Sequence, residues 1–393
     1  MADLSSASAP PDPQDLPLAG LVVVDLSQFL SGPYCSLRLS DLGARVIKVE
    51  RPGAGDLSRQ LYLSDTEIGG DSTIFHAINR GKESIALDLK DAGDLAALKR
   101  LLAQADVVIQ NFRPGVAARM GLDWPAVQAI NPRIVYGSIS GYGTSGPWVG
   151  LPGQDLLAQA RSGLTWLSGD AGQGPVPMGL AVADMMAGVA LSQGILAALV
   201  GRGVSGRGRL VETSLLEALI DLQFEVLTTY LNDGRRLPSR AARNSAHAYL
   251  SAPYGVYACE DGHLALAMTP LPGLFALLDM PDLTEGQPDA GFRRRDEIKE
   301  ALAERLSSGT VAHWLSILQP ADIWCAEVMN WPELLASEGF ARLDMLQLVT
   351  REDGVRIRTT RSPLTLDGRR PANARAAPRV GDQTEQIRKE FGL

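Results

Sequence analysis

A single carboxylate, Asp184, stands at the start of a long apolar stretch. The segment around it, Gly179-Leu-Ala-Val-Ala-Asp184-Met-Met-Ala-Gly188, is rich in glycine and alanine, so backbone or a bulky ligand can approach the acid closely. Apolar neighbours partly desolvate such a carboxylate. Two interpretations stay open from this stretch alone. Asp184 is a nucleophile, or it caps a buried helix by accepting the free N–H groups of the first turn.

A second acid, Asp155, opens another helical pattern in the segment Gln154-Asp-Leu-Leu. A lone acid in that place is typical of a helix cap. As a pair, Asp155 and Asp184 can divide positioning and nucleophilic roles, since a carboxylate can attack a carbonyl-like centre and become a covalent intermediate.

Basic residues follow several predicted strands. Arg51 comes after the second strand, Lys90 after the third, and Asn111-Phe-Arg-Pro-Gly115 with Arg119 after the fourth. Open α/β sheets bind ligands at the carboxyl ends of their strands. Guanidinium and ammonium groups neutralise phosphate charge, so this placement predicts a site for a polyphosphate-bearing ligand.

The elements that must position these residues alternate along the chain. Short apolar runs such as Leu21-Val-Val-Val-Asp-Leu26 and Asp106-Val-Val-Ile-Gln110 are separated by amphipathic helical patterns. Continuous apolar strands are typical of a parallel sheet covered on both faces. The pattern therefore predicts an α/β fold whose large domain is doubly wound, mostly parallel and Rossmann-like. A hairpin signal at residues 253–267, with helical segments after it, predicts a smaller α+β domain.

We predict five parts along the chain. They are a disordered leader over residues 1–16, a large α/β domain over 17–205, linker helices over 206–248, a small α+β domain over 249–335, and a return segment over 336–393 that packs on the large domain. The leader has neither a basic nor a long apolar region, which argues against an export signal.

The composition narrows the class of partner. A chain of 393 residues, 45% hydrophobic and 21% charged, is typical of a soluble protein with two or more domains. A net charge of −8 gives no global attraction to nucleic acid or anionic membrane, so we expect a small-molecule partner. The three cysteines lie far apart, which predicts free thiols in the cytoplasm and no metal site. The apolar run over residues 179–200 is long enough to span a membrane, but the polar residues within it favour a buried helix.

Two familiar motifs fail on their context. Gly141-Tyr-Gly143-Thr-Ser-Gly146 follows a strand, but Pro147 stands where a phosphate-binding helix should begin, so nicotinamide dinucleotide binding is not predicted. No histidine lies between residues 77 and 246, and no GxSxG segment is present. Hydrolysis by a Ser-His-Asp or Cys-His device is therefore disfavoured.

Several longer segments form a recognisable set. They are Asp25-Leu-Ser-Gln-Phe-Leu-Ser-Gly-Pro33, Leu42-Gly-Ala-Arg-Val-Ile-Lys-Val-Glu-Arg-Pro-Gly53, Asn79-Arg-Gly-Lys-Glu-Ser-Ile-Ala-Leu-Asp-Leu-Lys90, Asn111-Phe-Arg-Pro-Gly115, Arg119-Met-Gly-Leu122, Gly206-Arg-Gly208 and Ala377-Pro-Arg-Val-Gly-Asp-Gln-Thr-Glu385. With this set the chain resembles class III coenzyme A transferases over nearly its whole length. That family includes formyl-CoA transferase and carnitine CoA-transferase, and it is related to 2-methylacyl-CoA racemases.

The resemblance implies that coenzyme A passes from an acyl-CoA donor to a carboxylic acid acceptor through an aspartyl-CoA thioester. Asp184 would be the nucleophile, with Asp155 beside the reacting centre. Coenzyme A and acyl-CoA are then substrates, and no metal or prosthetic group is needed. The resemblance also implies a homodimer of interlocked chains, with the site between one chain's large domain and the other's small domain. The residues expected to line the coenzyme A site are Phe29, Leu30, Ser31, Arg51, Leu87, Lys90, Asn111, Phe112, Arg113 and Arg119.

Departures from the family pattern shape the remaining expectations. Formyl-CoA members carry a glutamine where Leu30 stands, and a glycine-rich loop where this chain has Arg243-Asn-Ser-Ala-His-Ala-Tyr249, which disfavours formate and oxalate. Racemising relatives carry a histidine just before the acid at position 155, where this chain has Gln154. An acyl-CoA racemase or epimerase is the first alternative, although its proton-shuttling pair is missing.

A non-catalytic coenzyme A-binding protein is the second alternative. It predicts coenzyme A binding with no turnover of any pair of acids. For the catalytic hypothesis, we expect backbone N–H groups between Gly179 and Gly188 to stabilise the developing oxyanion.

Overall fold

The computed structural model describes residues 15–371 and 373–393, so residues 1–14 of the predicted leader lie outside the described residues. Leu16, which we assigned to the leader, is buried and belongs to the folded chain. The strands, in chain order, are β1 (Val22–Asp25), β2 (Arg45–Glu50), β3 (Glu67–Ile68), β4 (Asp71–Ser72), β5 (Glu83–Ala86), β6 (Val107–Gln110), β7 (Val135–Ser140), β8 (Leu210–Ser214), β9 (Gly255–Ala258), β10 (His263–Leu266), β11 (Cys325–Glu327), β12 (Leu346–Thr350) and β13 (Arg356–Thr360).

Helices connect most of these strands. They are α1 (Ser31–Asp41), α2 (Thr73–Asn79), α3 (Ala92–Leu102), α4 (Val116–Arg119), α5 (Trp124–Ile130), α6 (Asp155–Ser162), α7 (Val182–Ser205), α8 (Leu215–Leu222), α9 (Phe224–Asn232), α10 (Leu271–Leu277), α11 (Ala290–Arg293), α12 (Arg295–Leu306), α13 (Val311–Leu318), α14 (Trp331–Ala336), α15 (Glu338–Leu343) and α16 (Thr384–Phe391). Short 3₁₀ turns lie at Leu57–Gln60, Leu164–Trp166 and Gln319–Ala321.

Six strands form one parallel sheet in the order β5-β2-β1-β6-β7-β8. Within this sheet the first strand lies in the middle, with the next two added on one side and the last three on the other. That order is the one found in doubly wound dinucleotide-binding folds. The winding reverses between β1 and β6, so a ligand crevice is expected at the carboxyl ends of these two strands. The predicted α/β fold with a parallel sheet is confirmed.

Both faces of the sheet are covered. Val108 on β6 packs in a hydrophobic cluster with Leu98 on α3. The next residue, Ile109, points to the opposite face because side chains alternate along a strand. On that face a Cβ at Gly137 would lie 3.0 Å from Ile195 Cδ1 of α7, so the missing side chain lets α7 pack directly on the sheet. Burial on both faces explains the continuous apolar runs of the sequence.

The described chain divides into two compact units. The large unit contains the residues up to Ala158, Ala181–Leu222 and Glu338–Leu393. The small unit contains Gln159–Leu180 and Gln223–Ser337. Within the large unit, the final helix α16 joins the sheet edge at β5, where the Ala86 N–H donates to Thr384 Oγ1 at 2.9 Å.

The small unit is built on a three-stranded antiparallel sheet in the order β11-β10-β9. Its first two strands form the predicted hairpin, with Leu264 opposite Tyr257. Helices α10, α12 and α13 cover one face, where Trp314 and Phe275 are almost fully buried in a separate hydrophobic cluster.

The segment predicted as linker helices differs from the expectation. Residues Leu210–Ser214 form β8, which extends the parallel sheet beside β7, and the helices after it fall into different units. The reason for the difference is exposure. β8 is an edge strand whose first residue, Leu210, is exposed. Its two apolar residues are followed by three polar ones, so it lacks the continuous apolar run of the buried strands and leads directly into the amphipathic pattern of α8.

Candidate active site

The first turn of α7 carries Asp184 as its third residue. The helix begins after Ala181, whose side chain makes no capping hydrogen bond. Asp155 supplies the cap instead, because its Oδ1 accepts the N–H of Ala183 at 2.6 Å and that of Asp184 at 3.3 Å. The interpretation of Asp184 as the cap of α7 is therefore wrong. Its carboxylate is left for other interactions.

The Asp184 carboxyl lies in a low-dielectric and negatively charged environment. Burial raises its pKa, and the neighbouring Asp155 raises it further, to about 6 from an ordinary value of 3.8. A hydrogen bond with the Ser31 hydroxyl lowers the pKa and so favours the charged form. At neutral pH the group is a carboxylate, but one more basic than an exposed aspartate.

Close packing of two helices brings Ser31 to Asp184. Ser31 is the first residue of α1, and Gly188 lies one helical turn beyond Asp184 on α7. A Cβ at Gly188 would be 2.7 Å from the Ser31 carbonyl oxygen and 3.0 Å from Tyr34 Cδ1. Only a glycine lets the two helices approach this far, which is the close approach predicted from the glycine-rich sequence.

The backbone N–H groups beside Asp184 do not have the expected role. Those of Ala183 and Asp184 donate to Asp155, and that of Met185 donates to the Ala181 carbonyl within the helix. The prediction that the start of this helix forms an oxyanion hole is therefore wrong for these three groups. Asp155 has taken two of the donors in order to hold the helix in place.

The loop after β1 is fixed at the switch point of the sheet. The Asn111 side chain, just after β6, accepts the Gln28 N–H at 2.9 Å and donates to the Gln28 carbonyl at 2.7 Å. Its Nδ2 also lies 3.5 Å from Ser31 Oγ. Phe29, which follows Gln28, has a left-handed backbone with φ 63° and is 46% exposed. A non-glycine residue in that conformation costs about 1 kcal/mol, so the surrounding bonds must hold it there.

Four of the residues expected to contact coenzyme A thus belong to one connected segment, and one of them, Ser31, contacts Asp184. Phe29, Leu30 and Ser31 belong to the loop after β1 and the start of α1, and Asn111 ties that loop to β6. Leu30 is half-buried and precedes the first residue of α1.

A cavity of about 220 Å³ lies at the carboxyl ends of β6 and β7. Phe112 and Arg113 line it, together with Gln110 and Ser138, which our sequence analysis missed. Gln110 connects the walls, because its Nε2 donates to Ser138 Oγ at 2.8 Å and its Oε1 accepts the Phe112 N–H at 2.7 Å. The signal in the sequence was a polar residue at the end of an otherwise apolar strand.

The predicted basic residues are exposed. Arg51 and Lys90 follow β2 and β5, and Arg113 and Arg119 follow β6, so all four come after the carboxyl ends of parallel strands. Leu87 differs from the expectation, because it is 1% exposed and its side chain packs in the hydrophobic cluster beneath the sheet. Only its backbone can face a ligand.

Two further observations concern the apolar helix α7 and the grouping of metal-binding side chains. By length and hydropathy α7 could cross a membrane, but in the structure it packs against α1 and the sheet, as core helices of soluble proteins also do. Among residues 15–371 and 373–393, no three His, Cys, Asp or Glu side chains are grouped so that they could hold a metal ion.

Comparisons with known proteins identify relatives over nearly the whole chain. The family model described as CoA-transferase family III matches residues 18–384. The acetyl-CoA:oxalate CoA-transferase of Acetobacter aceti is 33% identical, covering 95% of this chain and 96% of that protein. The human succinyl-CoA:glutarate CoA-transferase is 29% identical, covering 95% of this chain and 86% of that protein.

A solved structure agrees with these relatives. The crystal structure of a CAIB/BAIF family protein from Brucella suis superposes with a TM-score of 0.83 at 29% identity, covering 96% of this chain and 100% of that one. The chain therefore belongs to CoA-transferase family III, and it is a class III CoA-transferase.

Proposed function

We propose that this enzyme transfers coenzyme A through a thioester formed on Asp184. The observation that carries the proposal is a half-buried carboxylate whose pKa is raised to about 6, held between Asp155 and the Ser31 hydroxyl at the switch point of the sheet. A desolvated carboxylate with a raised pKa is a better nucleophile toward an acyl carbon than an exposed aspartate is.

The reaction has four balanced steps. The Asp184 carboxylate attacks the acyl carbon of the donor thioester and forms a mixed anhydride, releasing coenzyme A thiolate. The thiolate attacks the Asp184 carbonyl of the anhydride, which gives the aspartyl-CoA thioester and frees the donor acid. The acceptor carboxylate then attacks this thioester to form a second anhydride, and thiolate leaves again. Attack of the thiolate on the acceptor's acyl carbon yields the new acyl-CoA and restores Asp184.

Asp155 assists these reaction steps through its negative charge and by holding Asp184 in position. It fixes the first turn of α7 through the N–H groups of Ala183 and Asp184. Its negative charge also raises the pKa of Asp184, and conversion of Asp184 into a neutral anhydride or thioester relieves that repulsion. The two acids thus have separate roles, with Asp184 as the nucleophile and Asp155 as a positioning residue.

The large unit supplies groups suited to coenzyme A. We propose that the exposed Phe29 ring packs against the ligand and that Arg51, Lys90, Arg113 and Arg119 neutralise its phosphates. Both kinds of contact come after the carboxyl ends of parallel strands, where such sheets bind nucleotides. We propose that the ligand is a substrate only, and that the reaction uses no prosthetic group.

For the acids, we propose short dicarboxylates of four or more carbons, with a dicarboxylyl-CoA as donor. Relatives named for glutarate and for mesaconate act on acids of this kind. The oxalate enzyme of Acetobacter aceti has a shorter substrate, but the apolar Leu30 replaces the glutamine of formyl-CoA members and disfavours oxalate here. We further propose an interlocked homodimer in the cytoplasm, consistent with three free cysteines.

The experiment that tests the function measures transfer from succinyl-CoA to a panel of acids. Asp184→Ala should abolish transfer, while Asp94→Asn, which alters an acid in the first turn of α3, should keep it. Normal activity of the Asp184→Ala variant contradicts the proposal. Deuterium uptake at the α-carbon of an acyl-CoA without any acceptor would favour the racemase alternative, and binding without turnover would favour a non-catalytic protein.

A further inference from the structure

Two lysines are fully buried beneath the loop that follows β1. Lys48 and Lys82 are each 0% exposed. A lysine is almost never buried this fully unless its ammonium is paired. Lys48 lies 2.6 Å from Asp56 Oδ2 and donates to the Ser27 carbonyl at 2.9 Å. The proposed function gives neither lysine a role. Because burying two ammonium groups costs free energy, we expect their bonds to serve a purpose, namely to hold this loop in place.

Lys82 uses its full hydrogen-bonding capacity. Its Nζ donates to Asp25 Oδ2 at 3.0 Å, to the Pro33 carbonyl at 2.9 Å and to Asn79 Oδ1 at 2.9 Å. An ammonium has three N–H donors, so each is engaged. Asp25 in turn accepts the Ser36 hydroxyl at 2.5 Å. The lysine therefore joins the end of β1, the first turns of α1 and the end of α2 at one point.

This point lies next to the residue that contacts Asp184. Pro33 is in the first turn of α1, two residues after Ser31. Ser31 donates its hydroxyl to Asp184, and its carbonyl oxygen faces Gly188 one helical turn beyond that acid. A movement of the first turn of α1 therefore moves the hydrogen bond that favours the charged form of the nucleophile.

We propose that Lys82 is a positioning residue of the reaction: its ammonium fixes the first turn of α1 and thereby holds Ser31 against Asp184. This inference rests on the proposed role of Asp184. It adds a requirement for a proton on a lysine that never touches the substrate.

The charged groups around Lys82 set the pH at which that proton is lost. They are Asp25 on β1, Lys48 on β2 and Asp56 after β2. The Cys35 thiol on α1 also interacts with Lys82, but burial raises its pKa and keeps it uncharged. Burial lowers the pKa of Lys82 to about 8, with Lys48 acting in the same direction and Asp25 and Asp56 against it. Burial also opposes the charge on Asp25, but Lys82 and Lys48 outweigh it and hold that pKa well below its ordinary value.

Loss of the Lys82 proton is expected to limit activity at alkaline pH. Lys82 is an ammonium below pH 8 and becomes a neutral amine as the pH rises through that value. The amine has only two N–H donors, so one of the three bonds is lost, and Asp25 loses the cation to which it is hydrogen-bonded. Activity should therefore have an alkaline limb near pH 8, in addition to the acid limb set by Asp184.

The test compares two buried cations that bind opposite ends of α1. Lys82→Met removes the ammonium at the first turn. Arg80→Met is the matched control, because Arg80 pairs with Asp41, the last residue of α1, with side chains 2% and 1% exposed. Both variants are purified as full-length enzyme, their melting temperatures are recorded, and kcat and KM for succinyl-CoA are measured from pH 5 to 10.

For Lys82→Met we expect kcat to fall about tenfold or more, the size expected for loss of a hydrogen bond to a charged group, with KM changed far less. The alkaline limb should disappear, and the acid limb should move above pH 6 because Ser31 no longer favours the charged Asp184. Arg80→Met should lose stability but keep kcat and both limbs. Wild-type kcat and limbs in Lys82→Met, or the same losses in Arg80→Met, would overturn the inference.

If Lys82→Met does not fold, a second measurement on the wild-type enzyme tests the role of Lys82. Single-turnover formation of the Asp184 adduct is followed on wild-type enzyme from pH 7 to 9.5, with folding checked by circular dichroism. A rate that falls near pH 8 while the fold persists supports the inference, and a constant rate contradicts it. Activity in Asp184→Ala would instead contradict the proposed function, whatever Lys82 does.

Discussion

Replacing Asp155 with asparagine removes one negative charge from beside Asp184 while keeping an oxygen that can accept the Ala183 N–H. The pKa of Asp184 is raised from 3.8 to about 6 by burial first and by Asp155 second. That rise corresponds to about 3 kcal/mol between its two protonation states. Since burial is the larger cause and remains, we expect the variant to lower the pKa of Asp184 by about one unit.

The consequence is measurable in the pH dependence of the first chemical step. Activity requires the carboxylate, so the acid limb of the rate of adduct formation should move from about pH 6 to about pH 5. A less basic carboxylate is also a weaker nucleophile. With a Brønsted slope near 0.5, the value for thiolate nucleophiles, the plateau rate should fall about threefold.

The assay is rapid-quench single turnover with succinyl-CoA from pH 4.5 to 8. Asp155→Ala serves as a comparison, because it also removes the acceptor of the Ala183 and Asp184 N–H groups. This variant should therefore lose about 1–3 kcal/mol more of the free energy of unfolding. An acid limb that stays at pH 6 in Asp155→Asn, or that moves upward, would refute the electrostatic role given to Asp155.

Three further predictions concern single residues. Asp184→Asn should raise the free energy of unfolding by about 1–3 kcal/mol at pH 7 but not at pH 3.5. The reason is that the folded state holds the Asp184 proton more tightly than the unfolded state, so the wild type loses stability as the pH rises from 3.8 to about 6. Equal unfolding midpoints in urea at pH 7 would contradict this. Gly188→Ala should lower kcat and destabilise the fold by about 1–3 kcal/mol, since a Cβ would lie 2.7 Å from the Ser31 carbonyl oxygen; wild-type kinetics and melting temperature would show that the helices can separate freely. Phe29→Gly should relieve the cost of φ 63° and leave stability nearly unchanged while weakening coenzyme A binding, as measured by calorimetry; unaltered affinity would exclude the ring from the ligand site.

The parallel sheet could be predicted because its strands are short, apolar and buried on both faces, as Val24 and Val108 illustrate. β8 could not, since an exposed edge strand that leads directly into α8 has no distinct period. The choice of Asp184 followed from its apolar and glycine-rich surroundings. The glycine at position 188 marked a close approach before the structure showed that its neighbour is Ser31.

The rest of the site depends on contacts between residues far apart in sequence. Asp155 caps a helix that begins 27 residues later, because its carboxylate accepts the N–H of Ala183 in the first turn of α7. Lys82 in the sequence has the character of a surface lysine near the start of a strand. Its burial depends on Asp25, 57 positions away, which no local pattern reveals.

The most direct measurement of the central claim is peptide mapping by mass spectrometry of wild-type enzyme quenched during turnover with succinyl-CoA. We predict that the peptide containing Asp184 carries coenzyme A as a thioester, and that addition of an acceptor acid removes it. Rapid transfer with the adduct on another residue, or with no adduct on any peptide, would contradict the account.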